Sequence, residues 1–445
     1  MRRPTLALAL GALFGSSCVL ALDLEGAYRA ALAEDPYIKA SRAAADSGRE
    51  RLPQARAALL PYAAFSAGRN QNWLATTAPS LTGDPTTTHD RYRSGNQTLQ
   101  IRQPLYRPQQ WAGYRQAKFN VAETDANFDR DLQNLAVRVG EAYFQALQAR
   151  DQLALIGAQK RAVQAQLLAA KRGLEAGTGT RTDVDEAQAR LDLSVAQELE
   201  VQQNVDFTSR QLENLTGLPA AELATLDVNV LPLSQPEPPQ LDYWIARAEE
   251  RSPELQALVA RREAAKLEIS KAQAGHYPTL DAVAQISDST SENITRIAYE
   301  YRQRSIGVQL NVPIYAGGYV SSQVRQAMAE LERTDQTLEG TKRDIAVRVH
   351  KEFRGITEGV ARVKALEQAV RSATTAVDSN IKSHKAGTRT ILDTLNAEQQ
   401  LSVARRDLLS AQYQFVLSKL RLSALAGDAN EDSVRQFNSW LKPST

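Results

Sequence analysis

Two short phrases hold the residues whose types and spacing most suggest chemistry, AGTGTRTDVDEA at 176–187 and AGTRTILDTLNA at 386–397. In each, a threonine precedes an acid by three residues, Thr180 before Asp183 and Thr390 before Asp393. That spacing makes a capping box, in which hydroxyl and carboxylate satisfy free N–H groups at the positive end of a helix. An exposed carboxylate beside a cation such as Arg389 also has an electrostatic use, and one residue can serve both. Other candidates are weaker. GTGTR at 177–181 begins like a phosphate loop but lacks a GK[ST] sequence and follows a helix-like run rather than a strand. His89, His276, His350 and His384 show no metal-ligand spacing, and acid pairs such as Glu249/Glu250 fall on solvated helical faces. No GxSxG or Ser/His/Asp arrangement is recognisable. The expectation is a protein that is not an enzyme, with no catalytic residue, metal or cofactor.

The elements that would position these phrases are long. The chain has 445 residues, 23% of them charged, with a formal net charge of +2. Its wealth of Ala, Leu, Gln, Arg and Glu is the composition of extended helices. The near-neutral balance, without a basic stripe interleaved with aromatics, argues against nucleic acid. Arg2 and Arg3, the apolar run Leu6 to Phe14 and the small-residue site Val19-Leu20-Ala21 read as an export signal cleaved after Ala21. The single cysteine, Cys18, lies inside it, leaving the mature chain without disulfides. Gly15 stands where a lipid-attachment motif usually carries leucine, which argues against a lipidated Cys18. No other apolar stretch approaches the ~20 residues of a membrane-spanning helix.

The chain is also written twice. Residues 24–65 align with 241–282, Pro36 matching Pro253 and Pro61 matching Pro278. LQIRQPLY (99–106) matches VQLNVPIY (308–315), and AVRV at 136–139 recurs at 346–349. The expected organisation is a signal peptide (1–21), a first repeat (22–229), a Pro-rich linker (230–240), a second repeat (241–427) and a C-terminal tail (428–445), equatorial or disordered. Each repeat reads helix, strand, strand, long helix, break, helix. The first helix of each repeat starts near Leu24 or Leu241 and ends before Pro61 or Pro278. The long helices cover 107–176 and 320–386; at ~1.5 Å per residue each is about 100 Å long and needs coiled-coil partners.

The strands are expected at 62–74, 92–106, 279–290 and 299–315. In SIGVQLNV (305–312), Ile306, Val308, Leu310 and Val312 alternate with Ser305, Gly307, Gln309 and Asn311. Strict period two puts one set on each face of a sheet. Tyr62, Trp73, Tyr92, Tyr106, Tyr299 and Tyr315 cluster near the strand ends, as an interfacial girdle would require. Four strands cannot close a barrel, and open edges do not survive in lipid, so other subunits must complete it.

An exported duplicate of this order resembles the TolC family of outer-membrane export ducts. The internal repeat carries the resemblance, together with LLPYAAF and HYPTLDA before strands, QPLY and VPIYAGG after them, and AGTRTILDTLNA. It implies a mainly α fold with a membrane β-barrel: a homotrimer giving four strands per protomer to a twelve-stranded barrel above an α-helical coiled-coil tunnel. It further implies a channel of the outer membrane, against its lipid, that conducts substrates passively. Its partners would be a periplasmic adaptor (membrane fusion) protein and an inner-membrane transporter of ABC or RND type. The wording looks most like members serving type I protein secretion, including protease export. The resemblance makes the two breaks hairpin tips, with Gly177 and Gly387 at their turns, at a closed periplasmic entrance. There Arg389 would bond Thr182 and Asp183 of a neighbouring hairpin, and Asp393 would form a ring in the constriction. Asn396 replaces a second acid ring and His384 a latching tyrosine, which implies a weaker cation block and a modified latch. The other readings are a periplasmic coiled-coil adaptor and, less favoured, an exported enzyme.

Overall fold

The computed structural model describes residues 21–79, 83–291 and 298–442. The signal peptide expected at 1–21, with Cys18, lies outside them apart from Ala21. The chain divides into two compact units, and these cut across the sequence repeats. One contains residues 41–130 and 253–344, the other residues 1–40, 131–252 and 345–445. Each unit therefore draws on both repeats.

The helix expected at the start of each repeat is interrupted. The first repeat has α1 (Leu24–Glu34), α2 (Pro36–Arg49) and α3 (Arg51–Ala57). Proline disfavours helical geometry at the residue before it. Asp35, ahead of Pro36, accordingly adopts φ −59° and ψ 118°, and α1 ends there. The second repeat stops at the matching point: Ser252 takes ψ 120° between α6 (Leu241–Arg251) and α7 (Pro253–Gln273).

After α3 come β1 (Tyr62–Ala78) and β2 (Thr86–Tyr106); β4 (Thr279–Thr290) and β5 (Glu300–Asn311) follow α7. The first hairpin is longer than the sequence suggests, and β5 ends at Asn311 rather than at 315. The four strands form one antiparallel sheet in the order β1-β2-β4-β5, so the two hairpins meet at β2 and β4. Strands β1 and β5 are its edges. Pairing sets one face from the register Phe65↔Leu99, Leu99↔Ile286 and Ala284↔Ile306, joined by Val308 opposite Ala282 and Leu310 opposite Leu280. Phe65, Leu99, Ile286, Ile306, Val308 and Leu310 are exposed, Ile306 at 87% and Val308 at 71%, and Leu280 is half-buried. The other face carries Asn70, Asn72, Ser94, Asn96, Thr98, Ser287 and Ser289. Trp73 and Tyr106 lie on the apolar face. Tyr62 and Tyr92 do not: Tyr62 pairs with Arg102 and Tyr92 with Asn72 on the polar face, so the expected girdle loses both.

Two helices dominate, α4 (Pro108–Glu175, 68 residues) and α8 (Tyr319–Lys385, 67 residues). After short breaks they are followed by α5 (Arg181–Thr216) and α9 (Ile391–Leu425). Fully buried Tyr143 and Phe144 of α4 meet Tyr413 of α9, with the Phe144 and Tyr413 ring centroids 6.3 Å apart. Tyr413 donates to Asp151 at 2.7 Å, satisfying a hydroxyl that burial would otherwise leave costly. Tyr143 donates to the carbonyls of Leu22 and Ala224.

The tail at 428–442 is folded, not disordered. Helix α10 (Glu431–Asn438) begins with a capping box of Asn430 and Ser433. Strand β6 (Leu441–Lys442) pairs with β3 (Thr225–Leu226). Asn438 Oδ1 accepts from the backbone N–H groups of Leu24 and Glu25, and Asn438 Nδ2 donates to Asp23. Ion pairs Arg29–Glu431 and Arg435–Glu25 flank it. The last helix thus caps the first, linking residues more than 400 positions apart. The linker at 230–240 is non-helical, and Lys419 donates to its Pro232 carbonyl. Among the described residues, no helix is long and apolar enough to cross a membrane.

Candidate functional site: the paired hairpin tips

Both breaks between long helices have the same construction. Gly177 and Gly387 take φ +73° and +74°, the left-handed geometry that ends a helix without cost only for glycine. The next residue closes the turn: Thr178 N–H donates to Gly173 O, and Thr388 N–H to Ser383 O. Two residues further on, the new helix starts at a threonine cap. Thr180 N–H donates to Asp183 Oδ2 at 2.9 Å, and Asp183 N–H returns to Thr180 Oγ1 at 3.2 Å. At the second tip the same bonds join Thr390 and Asp393 at 3.0 and 3.2 Å. Duplication has kept the turn, its closing bond and the cap, so Asp183 and Asp393 share this local role.

They differ in what surrounds the cap. Arg389 Nη1 stands 4.0 Å from Asp393 Oδ1, one helical turn away, with both side chains about half exposed. Hydrogen bonds from Thr390, helped by the Arg389 charge, hold the Asp393 carboxyl below the usual carboxylate range. At the first tip Arg181 instead pairs with Asp185 at 3.2 Å. His384 Nδ1 donates to the Arg389 carbonyl at 3.0 Å, tying the end of α8 to the turn. Thr182 and Arg389 are exposed at the tips, and Asp183 is half-buried. Within the single chain, the ion-pair partner of Arg389 is its own Asp393, not Asp183.

The tips are held side by side by contacts that sequence spacing does not reveal. Arg190 of α5 donates to Asn396 Oδ1 at 2.9 Å, although 206 positions separate them. Asn396 therefore supplies a neutral acceptor to a cation of the other hairpin. Below it, Leu167, Ala187 and Leu395 form a buried cluster, joined by Val184 and Leu191. Gln159 bonds Gln399 at 2.9 Å, and Gln166 donates to Glu398 at 3.3 Å. Burial raises the Glu398 carboxyl, only partly offset by Gln166, and its Oε2 is buried without a hydrogen-bond partner among the described residues. Arg190 and Glu398 are the residues that reading the sequence missed. Each lies within one helical turn of the end of a tip phrase, Glu398 directly after the second and Arg190 three residues after the first, in a run that looks like ordinary coiled coil.

A single chain thus offers a four-stranded sheet with one apolar face and two open edges, together with two capped hairpins built on very long helices. These are the parts of an export-duct protomer of the outer membrane. The chain belongs to the outer membrane efflux protein family, whose model matches residues 27–218 and 244–428, one stretch per repeat. It is 35% identical over 429 residues to the alkaline protease secretion protein AprF of Pseudomonas aeruginosa, covering 94% of this chain and 88% of that one. With the proteases secretion protein PrtF of Dickeya chrysanthemi it shares 32% over 444 residues, 99% of this chain and 96% of the other. The outer membrane protein TolC of Vibrio cholerae is 32% identical over 437 residues, 98% and 97% of the two chains. Among solved structures, VceC from Vibrio cholerae superposes with a TM-score of 0.78 at 20% identity, over 91% of this chain and 96% of that one. The Campylobacter jejuni CmeC outer membrane channel gives 0.76 at 14%, over 99% and 98%.

Proposed function

We propose that this outer-membrane chain is one protomer of a homotrimeric channel-tunnel that carries substrates out of the cell in type I secretion. The observation that carries this reading is the sheet. It joins two hairpins of one chain, exposes a continuous apolar face and leaves β1 and β5 unpaired at its edges. Unsatisfied edges are untenable in hydrocarbon, so three such sheets closing edge to edge into a twelve-stranded barrel remove the cost. Export begins with removal of the leader after Ala21. The helical hairpins make the periplasmic tunnel, and a periplasmic adaptor couples their tips to an inner-membrane transporter that supplies the energy. Protease-secretion relatives match nearly the whole chain, which favours an ABC transporter and protein cargo.

In this reading the tips at Gly177 and Gly387 surround the entrance. Arg389 restrains Asp393 within its own turn and is placed to exchange to Thr182 and Asp183 of an adjacent protomer. Three Asp393 carboxylates about the axis at ~7 Å would repel pairwise by roughly 0.6 kcal/mol at the dielectric constant of water and ~2.4 at an effective value of 20. Pairing with Arg389 offsets that repulsion and keeps the entrance narrow. With Asn396 in place of a second acid, cations meet one ring of charge rather than two. Planar-bilayer recording tests the gate: Arg389→Ser with Asp393→Ala should raise single-channel conductance several-fold. Conductance equal to the parent's would remove the gate from this site.

A further inference from the structure

We propose that the apolar face of the sheet ends in an arginine band that binds the phosphates of an outer-leaflet lipid headgroup. The inference rests on the membrane-barrel reading and adds a ligand to it. The four strands hold six arginines and no lysine. Strand alternation and the pairing register put five of the six, Arg69, Arg91, Arg93, Arg302 and Arg304, on the face that carries Phe65, Leu99, Ile286 and Ile306. All five are exposed. Arg102, on the opposite face, lies 3.8 Å from Asp281. Beside the band the polar face holds uncharged side chains such as Asn70, Tyr92, Asn96 and Ser287, with Asp90 next to Arg91 at its outer end.

Their height on the sheet is as ordered as their side. Arg304 stands in the row Phe65–Leu99–Ile286–Arg304, and Arg302 in the next, Ala67–Gln97–Asp288–Arg302. Arg69 follows one row toward the hairpin turns, then Arg93 opposite Gln71 and Arg91 opposite Trp73. On the helix side of Arg304 the same face is apolar through Ile306, Val308 and Leu310, and exposed Val312 and Ile314 continue it beyond β5. The seven steps from Arg304 to Asn311 at ~3.3 Å rise, tilted about 40°, climb roughly 18 Å, and exposed Val312 and Ile314 extend the face toward the ~25 Å of the lipid-facing apolar band of an outer-membrane barrel. The arginines therefore begin where hydrocarbon ends.

Arginine toward lipid is unfavourable at mid-bilayer and nearly free of cost at the interface, so the position is tolerated, but tolerance does not account for five. The face also carries Asp288, opposite Arg302, and Glu300, opposite Thr290, which leaves a positive balance. A guanidinium matches phosphate with paired N–H groups, and such contacts gain strength near a low-dielectric layer. The chemistry specified is a phosphorylated headgroup whose acyl chains cover the apolar rows below.

The test uses the full-length trimer in neutral detergent, titrated with bis-phosphorylated lipid A, with dephosphorylated lipid A and with inorganic phosphate. Bound lipid is counted by native mass spectrometry. The parent should bind the bis-phosphorylated lipid well above the dephosphorylated one and should ignore inorganic phosphate. Arg69→Gln/Arg93→Gln/Arg302→Gln should weaken only the phosphorylated lipid, on the order of a hundredfold. The corresponding triple lysine variant, which keeps the charge, should retain most of the affinity. Should the glutamine triple fail to assemble, the single variants carry the measurement, each expected to lose roughly fivefold. Equal binding of both lipids, or a glutamine series that binds like the parent, overturns the proposal. Phosphate alone competing at the concentration of the lipid would assign the band to a free anion and overturns it too. If the parent forms no trimer before any lipid is added, the barrel reading has failed rather than the lipid site.

Discussion

Asp393 holds two positions at once, a cap for α9 and a charge beside Arg389. Its lowered carboxyl stays ionised through neutral pH. Its capping contribution is therefore present above the ordinary aspartate range and is lost as pH falls through the depressed value. Glu398 has the opposite sign. Burial raises its carboxyl, so the folded hairpin prefers the proton, and stability falls as pH rises from the ordinary glutamate range through the raised one. Glu398→Gln should therefore raise the thermal midpoint at pH 7.5 and leave it unchanged near pH 4; an equal shift at both would show that the side-chain charge is irrelevant. The caps were legible in the sequence because donor and acceptor lie three residues apart. The Arg190–Asn396 bond was not, because nothing in either helical run names a partner 206 positions away.

Elements obey short-range rules where backbone chemistry is local. The pairs Asp35–Pro36 and Ser252–Pro253 interrupt both opening helices, since proline excludes the helical region for the residue before it. Reading those segments as single helices overlooked that rule. The turns at Gly177 and Gly387 need positive φ, so Gly387→Ala should cost about 1 kcal/mol. Hydrogen exchange at the second tip reads that loss, and protection equal to the parent's would show that the turn tolerates a side chain. The α1–α10 clasp depends on one amide that accepts from two backbone N–H groups and donates to Asp23. Asn438→Ala leaves those groups short of partners and should cost about 1–3 kcal/mol. The expected signature is faster exchange at Leu24 and Glu25; unchanged rates would place the strength of the clasp in its ion pairs. Tyr92 shows the limit of reading by position. It opens the strand expected at 92–106, but β2 begins at Thr86, and the period-two pattern puts Tyr92 on the polar face.

The whole molecule is a duplication whose halves interlock. Both hairpins enter one sheet through β2 and β4, and each compact unit draws on both repeats. Assembly into a barrel should give an outer-membrane species that migrates in SDS at about three times the chain's 48.9 kDa and collapses to one chain on boiling. A monomer in both lanes would speak against closure by subunits. The sequence by itself determined the repeat, the lengths of the long helices, the alternating faces of the strands and the paired caps, because each follows from spacing of a few residues or from wording repeated along the chain. Only the tertiary structure decided that β2 joins β4, that the last helix caps the first, that Asn396 serves Arg190 and that five arginines share one level of one face. Those relations depend on register and on contacts between distant segments, where the free energy of packing chooses among partners that local sequence leaves equivalent.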